Sequence, residues 1–496
     1  MAAALHMIAD SWNFFMEHLL YVNLFLSIII VFFQRRNPRA VWTWILALYF
    51  LPGFGFLLYL VLCQDFHKSR MFRVKEIEDQ MRYSVKRQED FLLDLNMTLE
   101  DPLASDYSDL VLYNLETTGA VLTVNNQVDI FTDGEEKFTD LRAELRKAEN
   151  HIHIQYYIIK NDELFDSIAA ILVEKAKSGV EVRILYDGMG GRFMPSSHWK
   201  ALEAAGVKVG CFFPPILGRL NLRVNYRNHR KIVVIDGKIG YVGGFNIGKE
   251  YISKDPKFGY WRDTHLKIRG DAVISLQIRF ALDWNYAVKE NLFKNMNYFN
   301  QVADPLFIEE SVDLPLGIQI ITSGPDSPNQ EIRDNYLELF AKARHHIYIQ
   351  TPYFVPDEAV LSALFIAAKS GVDVRLMIPC KPDHPFVYWA TYSYVGDLLA
   401  AGARCYTYEH GFLHAKGVMV DGRVSCYGTA NMDIRSFELN FEVNATIFDE
   451  QTTEHLEEIF IEDLANCKEI TLEEYKQRAL MIRIKEQFSR LLSPLL

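Results

Sequence analysis

Two histidine–lysine pairs carry the chemistry that this chain can do. His229 and Lys231 are separated by one residue, and so are His414 and Lys416. On an extended strand residues i and i+2 project from the same face, so each imidazole stands beside an ammonium. One such pair is ordinary for a solvated strand. Two are not, because their surroundings repeat as well. Asp236-Gly237, Gly243 and Asn246 follow the first pair; Asp421-Gly422, Gly428 and Asn431 follow the second, all at one constant offset of 185.

Brought into one pocket, two histidines and two lysines suit a phosphate diester. The lysines, with Asn246 and Asn431, can hold the non-bridging oxygens and supply charge that many enzymes take from a metal. No metal or other cofactor is expected. One imidazole can attack phosphorus while the other protonates the leaving alkoxide and then deprotonates the incoming alcohol. A neutral nucleophilic imidazole presents one nitrogen and donates from the other, so each histidine needs a carboxylate behind it. Asp263, in Tyr260-Trp-Arg-Asp-Thr-His265, and Glu442, in Asn440-Phe-Glu442, are the candidates, each shortly downstream of its own repeat's asparagine. Asp236 and Asp421 differ. Their parity along the strand is opposite, and each opens an Asp-Gly turn, so neither faces where His and Lys face unless the strand is bulged.

The elements that must position these groups also occur twice. The alternating segments 127–134 and 318–324 are each followed by a helical pattern, 137–148 and 330–343. Next come apolar strands, 151–155 and 346–350, then a helix leading into AKSGVEVRIL (176–185) or AKSGVDVRLM (368–377). Strand, helix, strand, helix, strand is α/β organisation, and a mostly parallel sheet is expected. The duplication predicts two pseudo-equivalent halves, 120–305 and 306–466, with one site between them. The first half has 11 more residues between Gly206 and His229 than the second has between Gly402 and His414. That insertion carries Arg219, Arg223 and Arg227 among apolar residues, and reads as a lid, an anionic-headgroup contact or a surface loop. The position matching Arg435 is Glu250 in the first repeat.

The N-terminus holds two apolar blocks, 19–33 and 40–63, divided by Gln34-Arg-Arg-Asn-Pro-Arg39. The second is long enough to span a bilayer, and the first becomes so with 12–18 included. Trp12, Trp42 and Trp44 fall near the ends, where interfacial aromatics belong. The first block lacks a basic flank and a small-residue cleavage site, which argues against a cleaved leader. We expect a two-segment membrane anchor over 1–63 and a charged stalk over 64–119. Arg35, Arg36 and Arg39 compete with Lys68, Arg70, Arg73 and Lys75 for one membrane side, so the charges assign no orientation. Pro52, Gly53 and Gly55 also permit a re-entrant hairpin. A helical tail, 467–496, closes the chain, its apolar residues spaced either for an interface or for packing on the body. The net charge of −12 argues against nucleic acid as a partner. The six cysteines lack metal or disulfide spacing and read as buried thiols.

The duplicated HxK(x)4D motif, His229-Arg-Lys231…Asp236 and His414-Ala-Lys416…Asp421, resembles the phospholipase D superfamily. Within it the chain is similar to the bacterial cardiolipin synthases over nearly its full length. That similarity includes Arg35-Arg-Asn-Pro38, Leu51-Pro-Gly-Phe54, Gln350-Thr-Pro-Tyr-Phe354, Gly428-Thr-Ala-Asn431 with Arg435-Ser436, and Ser493-Pro-Leu-Leu496. The resemblance implies phosphatidyl transfer from one phosphatidylglycerol to another, giving cardiolipin and glycerol through a phosphohistidine without a metal. It assigns attack to His229 and acid–base work to His414. It counts Asp236 and Asp421 with the motif's catalytic set, although their usual role in the superfamily is structural. It also implies anionic membrane lipids as partners, and residence in the bacterial cell membrane through two transmembrane segments. A membrane-anchored phospholipase D-type hydrolase would use the same residues with water as acceptor.

Overall fold

The computed structural model describes residues 18, 21–32, 38–51, 55, 59, 102–214, 225–299, 316–327 and 329–493. The chain divides into two compact units, Met1–Arg73 with Pro215–Asn225, and Val74–Pro214 with Tyr226–Leu496.

In the first unit residues 21–32 and Pro38–Phe50 are helical. They meet through Ile30, Trp44 and Leu48, with Tyr59 in the same cluster, and Asn23 Nδ2 donates to the Leu48 carbonyl at 3.2 Å. Their other faces leave Leu24, Phe25, Ile28, Phe32, Trp42, Leu46 and Phe50 exposed. Among the described residues no helix is long and apolar enough to cross a membrane. The hinge 33–37, most of the second block past residue 51, the stalk up to 101, and Arg219 and Arg223 of the insertion lie outside the described residues.

The second unit holds two sheets built to one plan. The first half contributes β1 (Asn126–Phe131), β2 (His151–Tyr156), β3 (Glu181–Asp187), β4 (Lys208–Phe212), the short β5 (Arg227–Asn228), β6 (Ile232–Ile235), β7 (Ile239–Gly243), the short β8 (Tyr260–Arg262) and β9 (His265–Gly270). The second contributes β10 (Gly317–Ser323), β11 (His346–Gln350), β12 (Phe354–Val355), β13 (Asp373–Pro379), β14 (Arg404–Tyr408), β15 (Gly411–Leu413), β16 (Gly417–Val420), β17 (Val424–Gly428), β18 (Met432–Asp433), β19 (Asn440–Phe448) and β20 (Cys467–Ile470). The orders are β1-β9-β7-β6-β2-β3-β4 and β10-β19-β17-β16-β11-β13-β14-β20, the same arrangement strand for strand until β20 adds an edge.

The expectation of a mostly parallel sheet is corrected. Within the two main strand orders only β2-β3-β4 and β11-β13-β14 run parallel, joined by crossover helices such as Glu163–Lys177 and Glu358–Lys369. The rest of each sheet is antiparallel, because the strand after His-x-Lys turns back on itself through Asp-Gly. A two-residue hairpin can only make antiparallel neighbours. Asp236 and Gly237 both have positive φ (55° and 69°), as do Asp421 and Gly422 (56° and 68°), the geometry of a type I′ turn.

The two sheets share a core. Ile232, Val234, Val242, Leu266 and Ile268 pack with Ile318, Ile320, Met419, Tyr427, Val443 and Ala445. Helices cover the outer faces, and several begin at acidic caps. Asp162 accepts from the Leu164 and Phe165 amides, and Asp357 from the Val360 amide, each such cap contributing about 1 kcal/mol.

The body also begins earlier than the stalk expected over 64–119. Pro102–Asp106 and Ser108–Thr118 are helices, and Tyr107, Leu110, Val111 and Leu115 are buried at the i, i+3, i+4 spacing of a core-facing stripe. All but Leu115 join the second half's core, beside Tyr336 and Leu339, and Asn114 Nδ2 donates to Gln319 and Asn335 at 3.0 Å. At the other end the helix Leu480–Leu491 lies against Pro385–Ala401, where Arg490 pairs with Asp397 at 2.7 Å.

Candidate active site

Two short strand pairings bring the repeats together. β5 runs parallel to the start of β19, matching Arg227 to Asn440 and Asn228 to Phe441. β15 runs parallel to β8, matching Phe412 to Trp261 and Leu413 to Arg262. The chain then continues into the histidines. The His229 amide donates to the Phe441 carbonyl at 3.0 Å, and the His414 amide to the Arg262 carbonyl at 2.7 Å. Each histidine is thereby set beside the next residue of the opposite half.

Those next residues are the two carboxylates. His229 Nδ1 lies 2.9 and 3.0 Å from the Glu442 oxygens, and His414 Nδ1 lies 2.6 Å from Asp263 Oδ2. The pairing is crossed: each half supplies a histidine and the carboxylate for the other half's histidine. Nothing in the spacing within a repeat foretells this, because the contact depends on how the two halves pack.

Both carboxylates are fully buried and tightly held. Glu442 accepts from Thr429 Oγ1 at 2.6 Å and Asn440 Nδ2 at 3.1 Å. Asp263 accepts from the Thr264 amide at 2.8 Å and faces Trp261 Nε1 at 3.4 Å. Gly244 makes room for it, since a Cβ there would overlap the Asp263 carboxylate. Burial pushes both acids upward, but the facing lysine and histidine outweigh it and hold them below the usual carboxylate range. The imidazoles go the other way. Burial, with Lys231 beside His229 and Lys416 beside His414, brings each down to about 4. A neutral imidazole donating from Nδ1 to an ionised carboxylate leaves Nε2 with its lone pair outward, as attack or proton uptake requires.

Lys231 Nζ donates to the His229 carbonyl at 2.5 Å, and Lys416 to the His414 carbonyl. Lys416 Nζ also lies 2.6 Å from His414 Nδ1. With the Nδ1 proton given to Asp263, that is a close approach of charge rather than a second bond. Burial drops Lys231 to about 7 and Lys416 to about 8, partly offset by Glu442 and Asp263. A bound anion would restore the full charge of both.

Asp236 and Asp421 stand apart. The Asp236 carboxylate accepts from the Glu149, Asn150 and His151 amides at 2.7–2.8 Å. Asp421 does the same for Arg344, His345 and His346. Each ties the hairpin turn to the start of β2 or β11, a structural duty that corrects their place in the motif's catalytic set. The asparagines are partly engaged as well. Asn246 accepts from the Ile158 amide and donates to the Tyr251 hydroxyl at 3.1 Å, and Asn431 donates to Asp433 at 3.3 Å. Each carboxamide keeps one further N–H.

The sequence reading missed a layer of charge behind the site. Arg230, between the motif residues and 1% exposed, pairs with both Asp283 oxygens at 2.7 and 2.8 Å and donates to the Glu442 carbonyl at 3.0 Å. Arg262, preceding Asp263, pairs with Asp463 at 2.8–3.1 Å. Gln155 and Gln350, at matching ends of β2 and β11, donate to Asp283 and Asp463 at 2.7 and 2.9 Å. Their recurrence at the same place in both repeats was the available signal. Among the described residues no group of three or more His, Cys, Asp or Glu is arranged to hold a metal ion.

A family model described as cardiolipin synthase, phospholipase D-like domain, matches residues 141–256 and again 336–464. A second, described as phospholipase D-nuclease N-terminal, matches 22–62. The cardiolipin synthase of Oceanobacillus iheyensis is 46% identical over 96% of this chain and 97% of its own. The major cardiolipin synthase ClsA of Bacillus subtilis is 47% identical over the same shares. The chain belongs to the cardiolipin synthase family. The fold recurs in phosphatidylserine synthase of Haemophilus influenzae, with a TM-score of 0.59 and 16% identity over 78% of this chain and 100% of that one. Like other cardiolipin synthases it is an enzyme of the phospholipase D superfamily, a mixed α/β protein of two like halves.

Proposed function

We propose that the protein transfers a phosphatidyl group between two phosphatidylglycerol molecules, giving cardiolipin and glycerol through a phosphohistidine on His229. The crossed pairing of His229 with Glu442 and His414 with Asp263 carries the reading, because it equips one imidazole for attack and the other for proton transfer. The donor phosphodiester lies between the two imidazoles, with Lys231 and Lys416 against its non-bridging oxygens. Nε2 of His229 attacks phosphorus as the bond to the glycerol oxygen breaks, and His414 delivers its Nε2 proton to that oxygen. His414 enters this step as the imidazolium, once the anionic diester and ionised Asp263 offset the depression of the empty site. Ionised Glu442 stabilises the charge that develops on His229. The hydroxyl of the second phosphatidylglycerol then gives its proton to His414, its oxygen bonds to phosphorus, and the phosphorus–nitrogen bond breaks.

The body works at the bacterial membrane, held by two apolar N-terminal spans. The exposed apolar faces of 21–32 and Pro38–Phe50 and the N-terminal family match over 22–62 support this placement. Purified protein given labelled phosphatidylglycerol in bilayers should release glycerol and form cardiolipin. Phosphatidic acid instead would mean that water is the acceptor. The His414→Asn protein, given a donor with a good leaving group, should accumulate phosphatidyl label on the peptide containing His229. Label on His414 in His229→Asn, with none on His229 in the reciprocal variant, would reverse the two roles.

A further inference from the structure

The C-terminal helix Leu480–Leu491 is turned the wrong way round for a helix packed on a protein. Its buried residues are polar, Glu486 and Ser489, while Leu480, Met481, Ile484, Phe488 and Leu491 are 52–77% exposed. At about 100° per residue the five apolar side chains fall within an arc of about 100°. Lys485 lies at one edge of that arc, and Gln487 and then Arg483 at the other; all three are exposed.

Specific bonds fix this orientation. Arg478 pairs with Glu486 at 2.6 Å, Arg490 with Asp397 at 2.7 Å, and the Tyr394 hydroxyl donates to Ser493 Oγ at 3.3 Å. The Arg490 guanidinium also lies 4.3 Å over the Tyr394 ring, and the Lys485 ammonium 5.3 Å over Trp389. Rolling the helix to hide its apolar face would break the buried Arg478–Glu486 pair. The tethers run in register, 485 on 389 and 490 on 397, so the two helices lie side by side in the same direction. Leu480 and Met481 are thereby brought toward the end of Pro385–Ala401 that bears Phe386, itself 52% exposed.

That end is also the catalytic end. Pro385–Ala401 follows the carboxyl end of β13, and there Gln350 of β11 is matched both to Met377 of β13 and to Gly417, the residue after Lys416. Asp383, two residues before the helix, accepts from the Tyr353 hydroxyl just past β11.

We propose that the exposed face of Leu480–Leu491 seats on the surface of an anionic phospholipid bilayer, presenting the catalytic end of the body to the headgroups. Charge selects this occupant. The chain carries −12 overall, yet this helix has Arg483, Lys485 and Arg490 against Glu486 alone. An apolar stripe edged by cations, on a helix of low overall hydrophobicity, is the pattern that lies in a membrane interface. A second copy of the chain would instead bring Arg483 and Lys485 against their like. The surface is independent of which reaction the pocket runs.

The test places the photoreactive residue p-benzoylphenylalanine in place of Phe488, and separately of exposed Glu473, in the full-length protein. Each protein is reconstituted in phosphatidylglycerol or phosphatidylcholine vesicles and illuminated. Mass spectrometry should find lipid adducts at 488 at least about tenfold above those at 473. The double variant Arg483→Glu, Lys485→Glu should cut the yield in phosphatidylglycerol and leave it unchanged in phosphatidylcholine. Adducts at 488 to a second chain or to another part of this one would overturn the proposal, as would equal lipid adducts at 473. His229→Ala should keep the adduct, so a failure of the catalytic reading stays separate from a failure here.

Discussion

The two histidine sides share a backbone plan and differ in chemistry. On the His229 side the carboxylate is the longer Glu442, steadied by a hydroxyl and a carboxamide, Thr429 and Asn440. On the His414 side it is the shorter Asp263, steadied by a backbone amide, with Lys416 drawn to 3.9 Å from it. Arg230 braces the first side from within its own half through Asp283, whereas Arg262 braces the second across the halves through Asp463. Duplication has kept what sets the histidines in register and released what tunes them. One side can therefore be fitted for attack and the other for proton transfer.

The strongest way to break this comparison is to remove each histidine in turn. His229→Ala and His414→Ala should each lose at least about 10²–10⁴-fold in kcat, and the double variant should be little worse than either. A single variant that kept more than about a tenth of wild-type turnover would mean that the two sides are not one site.

Next are the crossed carboxylates. Glu442→Gln and Asp263→Asn should each lower kcat about 10–100-fold with little change in KM, by releasing the tautomer and tilt of the opposite half's histidine. Both should also shift the pH dependence, each through its own lysine. Asp263 is the leading support for the charge on Lys416, and Glu442 for that on Lys231. Each substitution should start the alkaline fall of kcat/KM at a lower pH than in the wild type.

The wild-type profile is the third test. Lys231 titrates near 7 and Lys416 near 8 in the empty site, and a bound anion raises both. Affinity for the phosphodiester is thus complete below about pH 7 and declines as pH rises through these values. Measured on a soluble short-chain phosphatidylglycerol, KM should be flat on the acid side and climb from pH 7 upward. A KM that stayed level up to pH 10 would refute the pairing of lysines with phosphate.

The smallest difference is expected at the motif aspartates, where the sides are alike. Asp236→Ala and Asp421→Ala should each cost about 0.5–2 kcal/mol of stability, as lost caps do, with kcat retained in the folded protein. Thermal unfolding beside turnover reads both quantities. A selective loss of kcat in either would restore that aspartate to the chemistry.

The motif, its duplication and the exclusion of Asp236 from the pocket were legible in the chain, because strand parity and Asp-Gly turns are local properties. The paired halves followed from the repeat of 176–185 at 368–377. The sheet direction did not, since alternating strands and helices mark crossovers while the hairpins after His229 and His414 contribute more of the ladder. Asp263 and Glu442 were found by type, yet their exchange between halves rests on β8–β15 and β5–β19, whose short strands carry little pattern of their own. Helix Ser108–Thr118 was read as stalk because its charges hid a stripe that only the second half's core completes.

The crossed pairing also sets a clock on synthesis. His229 and Glu442 stand 213 residues apart, an interval of about 10–40 s at translation rates of ~5–20 residues per second. Through that interval the nascent chain exposes a histidine with no carboxylate to orient it, and lysines with no second pair to close the anion site. Reactivity is thereby deferred until β19 has emerged and docked.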